Sequence, residues 1–323
     1  MEGPIATQWR RDAAWAIVVI VAAALFLLEA TARVLRAVGP EGREPPPDSV
    51  SLTVFFVLVQ YMVPLFFVGG GLLCLYAGAG AAGIRIFPRR EEMPTTWNLW
   101  NVARGAGVAY LVAYLAVLVL AQAFKGKSAE PFLVMANGYL VHLALLVFAV
   151  WFATSSGGSA GALGFTLKSW LGNLTHGVLS YVAALPVFYV AFLATALLMA
   201  ALRIRVQPSP LIPVLREAQS PWLKWGAILL ATVFGPFAEE VFFRGYLYQA
   251  MRRRLPAVSA IVINGALFSF IHLSAATFLP IMVLGMSMAY LFEKTRSLVA
   301  CTTFHIAHNT FLVAMLYYVY ALN

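Results

Sequence analysis

Long hydrophobic runs separated by short polar segments dominate the chain. Each run is close to the roughly 20 apolar residues that a helix needs to cross a bilayer. Most charged side chains fall between the runs, as in loops at a membrane surface. The pattern therefore predicts an all-α, polytopic bundle of about eight or nine transmembrane helices. The runs lie at residues 13–32, 51–80, 102–123, 137–154, 177–202, 222–250, 257–273, 278–292 and 298–320.

Composition supports a multi-pass integral membrane protein with lipid as its surroundings. Hydrophobic residues make up 62% of the 323 residues, mean hydropathy is +0.83, and only 11% are charged, whereas soluble domains carry about a quarter charged residues. The formal net charge of +9 is explained by Lys and Arg flanking the spans, because no basic segment is interleaved with exposed aromatic residues. We therefore expect no nucleic-acid partner. Nothing in the sequence indicates an oligomeric state.

A Gly/Ser-rich segment, SSGGSAG, follows the fourth hydrophobic run and starts at Ser155. Such a composition is typical of a flexible joint. We expect a boundary there, with accessory transmembrane spans at 1–158 and a C-terminal core at 159–323.

The sixth run contains two carboxylates and a guanidinium in the segment GPFAEEVFFRGYLYQAMRRR. Charge inside a membrane is costly, so Glu239, Glu240 and Arg244 suggest a functional site. The alternative is a buried ion network that only fixes helix packing. Pro236, directly after Gly235, predicts a kink or a new helix start, since proline disrupts a helix interior and suits a first turn.

Spacing divides the two glutamates. Glu240 and Arg244 are four residues apart with the acid first, the favourable order for an ion pair on one helix face. Glu239 is turned by about 100° around the helix axis. We expect Glu240 to pair with Arg244, while Glu239 faces a cavity and is free to act as a base.

The last spans add imidazole and amide groups. Phe268 and His272 are four apart in one hydrophobic run, and His305 and Asn309 are four apart in another, with His308 between them. Three of the five histidines therefore lie in the spans that follow the glutamate pair. This clustering favours one joint site over separate packing residues.

These three motifs, Glu-Glu-x-x-x-Arg, Phe-x-x-x-His and His-x-x-x-Asn in successive hydrophobic runs, resemble the CPBP family of intramembrane proteases. That family includes the type II CAAX prenyl endopeptidases and bacterial proteins linked to bacteriocin processing and self-immunity. The segments GPFAEEVFFRGYLYQAMRRR and ALFSFIHL are similar to its bacterial branch, and the likeness covers about Ala160 to Tyr320. It implies a CAAX-protease-like core at 159–323 and a place in a bacterial cytoplasmic membrane.

The resemblance also implies an activity, that of an intramembrane endopeptidase. Its substrate would be a membrane-associated peptide or protein, cut near the bilayer surface. His308 lies outside the family pattern, and we expect it to support the other groups. The implied roles are water activation by Glu239 and His272, oxyanion stabilisation by His305 and Asn309, and support of the site by Glu240 and Arg244.

Two mechanisms remain open for such a peptidase, because the family has been argued to be both glutamate-type and metal-dependent. We expect no cofactor, since the sequence has no His-Glu-x-x-His motif. The alternative is a zinc ion held by Glu239, His272 and His305, an acceptable ligand set for that metal.

Other functions compete with proteolysis. The same Glu, His and Arg cluster would suit a proton-coupled transporter, although no internal repeat of the broken-helix segment is visible. A non-catalytic membrane scaffold is a further alternative. Serine and aspartyl intramembrane proteases fit less well, because the stretch that matches Gly-x-Ser-x-Gly, at 157–161, lies in the Gly/Ser-rich joint rather than in a span, and the only aspartates, Asp12 and Asp48, lie outside the later spans.

Overall fold

The computed structural model describes residues 49–84, 86–87, 95–125, 130–166, 169–201, 215, 220–274 and 277–321. Within these ranges the chain is helical and forms no strand. Six of the described helices are long and apolar enough to cross a membrane. The predicted all-α polytopic bundle is confirmed. The first predicted span, 13–32, lies outside the described residues.

Eight helices account for most of the described chain. A single turn of 3₁₀ helix, Gly161–Leu163, precedes the fourth of them. They are α1 Ser49–Ala81, α2 Leu99–Ala123, α3 Glu130–Ser155, α4 Trp170–Ala201, α5 Pro221–Arg252, α6 Ala257–Phe270, α7 Phe278–Thr295 and α8 Leu298–Ala321.

Helix α6 is shorter than the run 257–273 that predicts it. Its 14 residues span about 21 Å, less than the roughly 30 Å of a hydrocarbon core. The helix ends at Phe270 and the chain turns, with Leu273 in the left-handed region at φ 49°. Hydropathy does not register this turn because the residues that make it are themselves mostly apolar. His272 consequently lies just beyond the end of α6 rather than within a span.

The expectation of a new helix start at Gly235 is wrong, because helix α5 continues through this position. Phe234 and Gly235 keep helical backbone angles, and the Gly235 amide donates to Leu230 O, five residues back. The segment Leu230–Phe234 is a π turn, and so is Val241–Tyr248. A wider turn gives room to the proline ring, which would collide with the carbonyl four residues earlier in a regular α-helix. Glu239 therefore lies in the middle of a helix, away from the free N–H groups of a helix N-terminus.

The chain divides into two compact units. One lies within Met1–Pro88, Val182–Pro186 and Met315–Asn323, and the other within Arg89–Tyr181 and Val187–Ala314. In the first unit, Gly69 allows α1 to approach Val182 and Pro186, because a Cβ at position 69 would collide with the Val182 carbonyl. Every candidate site residue belongs to the second unit. The predicted functional boundary at 158/159 stays a prediction.

Helix α5 is the central helix of the second unit. Of its most apolar stretch 56% is buried, against 11–33% for the other candidate spans. Helices α2 and α3 pack on each other through a small-residue cluster of Ala109, Ala113 and Ala144. Helices α6 and α7 approach most closely at Gly265 and Gly285, where a Cβ would meet backbone atoms of the facing helix. Small residues at such crossings are what membrane helix pairs need for close contact.

Candidate active site

The π turns of α5 are held by side-chain amides from within α5 and from its neighbours. A wide turn interrupts the regular hydrogen-bond ladder and leaves carbonyl groups available for other donors. Asn264 of α6 donates to Phe243 O at 3.0 Å, and Gln249 donates to Gly245 O at 2.7 Å. Asn309 of α8 donates to Ala231 O, in the first π turn, at 2.7 Å. These bonds fix the segment that carries the two glutamates.

Glu240 and Arg244 form the predicted ion pair, and both side chains are fully buried. Arg244 Nη1 donates to Glu240 Oε1 at 2.7 Å, and Arg244 Nη2 donates to Gly285 O of α7 at 3.0 Å. His305 of α8 adds a third contact, since its Nδ1 donates to the same Glu240 Oε1 at 2.9 Å. The pairing predicted from the four-residue spacing is confirmed. The network ties α5, α7 and α8 together.

The Phe268 ring is the packing centre of these groups. The Arg244 guanidinium lies over it at 4.6 Å from the ring centroid. The His272 ring packs against it at 5.1 Å and the His305 ring, edge to face, at 5.7 Å. The apolar member of the Phe-x-x-x-His motif thus separates a cation from two imidazoles and sets their spacing.

Glu239 differs from Glu240 in exposure and in partners. Its side chain retains 14% of its accessible surface, against 0% for Glu240. Its Oε2 lies 3.8 Å from His305 Nε2, and the carboxylate also interacts electrostatically with His272. A separation of 3.8 Å is one that a single water oxygen about 2.8 Å from each atom can bridge. Glu239 is therefore the glutamate that a water molecule or substrate can reach.

Hydrogen bonds determine which ring nitrogen of His272 and of His305 carries the hydrogen. His272 Nδ1 lies 2.8 Å from Phe268 O, and since a carbonyl only accepts, Nδ1 carries the hydrogen. In neutral His272 the other nitrogen, Nε2, is then an acceptor. His305 gives its Nδ1–H to Glu240, so its Nε2 is also an acceptor when neutral and a donor only as imidazolium.

Asn309 and His308 occupy different positions relative to these groups. Asn309 lies one helical turn beyond His305, and after its bond to Ala231 O it retains a second amide hydrogen. His308 is buried against Phe188, at 4.8 Å between ring centroids, and Tyr181, at 5.8 Å. Its Nδ1 has no hydrogen-bond partner among the described residues. The expected supporting role of His308 stays a prediction.

One residue of the site was not anticipated from the sequence. His142, on α3, places Nε2 at 3.0 Å from Glu239 Oε1 and Nδ1 at 2.6 Å from Gly138 O. A signal was present in the chain, because an ionisable side chain inside a hydrophobic run is itself a functional-site hypothesis. The contact could not be predicted from the sequence, because 97 residues separate His142 from Glu239 along the chain.

The zinc alternative requires free lone pairs on both imidazoles. The free Nε2 atoms of His272 and His305, each opposite a held Nδ1–H, are the tautomers that zinc ligands adopt. Yet within the described ranges no three His, Cys, Asp or Glu side chains stand together as a metal-binding group. The expectation that the site needs no cofactor stays a prediction.

Part of the chain matches the model of a known family. Residues 221–311 match the family "Type II CAAX prenyl endopeptidase Rce1-like". This region contains both glutamates, Arg244, His272, His305 and Asn309, and it confirms the resemblance to type II CAAX prenyl endopeptidases. The matched family is one of endopeptidases.

A curated relative also carries a peptidase name. The chain is 26% identical over 88 residues to "Putative membrane peptidase YdiL" of Bacillus subtilis (strain 168), covering 27% of the chain and 36% of that protein. The aligned part is thus little more than a third of the relative's length. No solved structure matches the chain.

Proposed function

We propose that the protein is an intramembrane endopeptidase that hydrolyses a peptide bond in a membrane-associated peptide or protein. The observation that carries this proposal is the arrangement around Glu239. A partly exposed carboxylate faces His305 Nε2 across a gap of 3.8 Å, beside a fully buried Glu240–Arg244 pair. That combination separates a group able to react with water from a group that holds the framework.

The chemistry needs a base for water and donors for the developing oxyanion. Glu239 Oε2 and His272 Nε2 accept from the attacking water, whose oxygen bonds to the scissile carbonyl carbon as its proton passes to Glu239. The amide nitrogen then takes that proton, the C–N bond breaks, and a carboxyl group and an amine result. Asn309 donates its second amide hydrogen to the oxyanion, and His305 donates from Nε2 in its imidazolium form.

The framework supports this division of labour. Glu240 accepts from Arg244 and from His305 Nδ1, and this holds the His305 ring with Nε2 towards Glu239. A carboxylate engaged by two donors inside the helix bundle is well suited to orientation and poorly suited to proton transfer. Glu240 and Arg244 are therefore support groups in this mechanism.

The substrate follows from the setting. The chain is an integral membrane protein, and a site on its spans selects peptides that lie in or on the bilayer. We assign it to a bacterial cytoplasmic membrane, with substrate cleavage near the bilayer surface and no metal requirement. The spans within 1–158 would act as accessory elements, although one of them, α3, also supplies His142.

The experiment compares membrane peptides from cells that carry the wild-type protein or the Glu239→Gln variant. We expect peptides that accumulate uncut in the variant, with new termini only in the wild type. His272→Ala and His305→Ala should reproduce the loss while remaining folded. A phenotype that persists in all three variants, with identical peptides, would show a scaffold rather than a protease.

A further inference from the structure

The contact between His142 and Glu239 brings a span from outside the family match into the site. The match begins at residue 221, whereas His142 lies on α3, Glu130–Ser155. The two residues belong to the same compact unit. Their side chains retain only 20% and 14% of their accessible surface.

Close packing of α3 on α5 makes this contact possible. A Cβ at Gly235 would lie 3.3 Å from His142 Nε2, and a Cβ at Gly138 would collide with the Leu230 side chain. Each helix therefore presents a glycine where the other approaches. Tyr139, next to Gly138, adds a hydrogen bond from its hydroxyl to Gly226 O at 2.9 Å.

The two hydrogen bonds of His142 determine how many protons the contact holds. Gly138 O can only accept, so the hydrogen of a neutral His142 is on Nδ1. Nε2 would then be a bare lone pair 3.0 Å from a carboxylate oxygen, and two acceptors repel. The contact is attractive when Nε2 also carries a proton and donates it to the ionised carboxylate that the proposed mechanism needs.

That proton also balances the charge of the site. The groups that face Glu239 are His142 from α3, His305 from α8 and His272 beyond α6, and the Glu240–Arg244 pair begins at the next residue of α5. Glu240 and Arg244 cancel. With His272 and His305 neutral before substrate binds, imidazolium His142 would cancel Glu239 in the same way, which avoids an uncompensated charge among packed helices.

We infer that His142 is a positioning residue that holds a proton against Glu239 Oε1 and thereby leaves Oε2 as the oxygen that receives the proton of water. The inference rests on the proposed function and extends it to a residue of α3. His142 touches neither water nor substrate in this scheme. Its effect is to fix the carboxylate plane so that Oε2 stays opposite His305 Nε2.

A spectroscopic test needs no substrate. Nitrogen-15 NMR of histidine-labelled, full-length protein in lipid bilayers separates imidazolium from neutral rings, and the chain has only five histidines to assign. The signal lost in His142→Gln identifies His142. We expect an imidazolium signal for His142 and, by infrared spectroscopy, no protonated carboxyl that disappears in Glu239→Gln. A neutral His142 beside an ionised Glu239 would overturn the inference.

Enzyme kinetics then test the positioning role. The substrate is a peptide that wild-type cells cut and Glu239→Gln cells leave uncut. His142→Leu should lower kcat about 100-fold, the scale of a misplacement of about 1 Å, with KM changed less than about threefold. His142→Gln keeps a donor towards Oε1 and should recover about tenfold of that loss. Tyr139→Phe removes a hydrogen bond between the same two helices and should leave kcat within about twofold.

The outcomes separate this inference from the proposed function. Full activity of His142→Leu, together with loss of activity in Glu239→Gln, would overturn the inference and leave the proposed function standing. Full activity in both variants would refute the proposed function itself. If His142→Leu does not fold, the wild-type NMR spectrum and the Gln variant decide.

Discussion

Replacing Arg244 tests whether the buried ion network is what holds α5, α7 and α8 together. Arg244→Leu keeps a side chain of apolar volume in a fully buried position but removes the guanidinium. Two inter-helix contacts disappear with it, the hydrogen bond to Gly285 O at 3.0 Å and the position over the Phe268 ring at 4.6 Å. The Glu240 carboxylate loses its ion-pair partner on the same helix.

The expected loss of stability follows from the contacts between helices that Arg244→Leu removes. The Glu240–Arg244 pair is an i,i+4 contact, so it persists in an isolated α5 and contributes little to helix association. An inter-helix hydrogen bond in a membrane is worth about 0.6–1.7 kcal/mol, and a desolvated cation–π contact up to about 2 kcal/mol. We expect Arg244→Leu to lower the free energy of unfolding by roughly 2–4 kcal/mol.

A second change should partly restore stability. In Arg244→Leu the Glu240 carboxylate is buried with His305 Nδ1 as its one remaining donor. Adding Glu240→Gln removes the charge and keeps an oxygen that accepts from His305. The double variant should therefore recover about 1 kcal/mol or more, because an unpaired buried charge costs more than a neutral amide.

The assay is reversible unfolding in mixed detergent micelles, followed through the fluorescence of the eight tryptophans. Arg254, which is exposed at the end of the same segment, supplies the control, and Arg254→Leu should change stability by less than about 0.5 kcal/mol. A double variant less stable than Arg244→Leu alone would refute the reasoning.

Three further outcomes are expected. Gly265→Ala should lower the free energy of unfolding by about 1–3 kcal/mol, because its Cβ would lie 2.8 Å from the backbone oxygen of Met282. Gly107→Ala, which has open space around it, should leave the free energy of unfolding unchanged. Equal effects of the two variants would contradict the close approach of α6 and α7. Trp97→Phe removes the bond from Nε1 to Tyr246 O, 2.9 Å long and buried, and should cost about 1–3 kcal/mol in the same unfolding assay. Protein stripped of metal and verified by elemental analysis should still cleave its peptide, and a loss of cleavage that zinc restores would favour the zinc mechanism.

Local spacing predicted the part of the site that lies on one helix. The Glu240–Arg244 pair follows from the helical period alone, and the resemblance adds His305 and Asn309 as partners on a later span. Hydropathy likewise predicted most helices to within a few residues. These features depend on sequence neighbours, which a single chain displays directly.

Features set by packing were not accessible in this way. A Gly-Pro pair is compatible with a kink, a helix start or a wide turn, and the choice of a π turn depends on donors such as Asn309 that arrive from another helix. The contact between His142 and Glu239 likewise requires α3 and α5 to meet at Gly138 and Gly235. No local pattern specifies that meeting.

The account depends most on Glu239 as the group that activates water. The direct measurement reconstitutes the purified protein in liposomes with its membrane peptide in ¹⁸O-labelled water and analyses the products by mass spectrometry. We predict one ¹⁸O atom in the new carboxyl terminus with the wild type, and no new terminus with folded Glu239→Gln. Cleavage at an unchanged rate by Glu239→Gln would contradict the central claim.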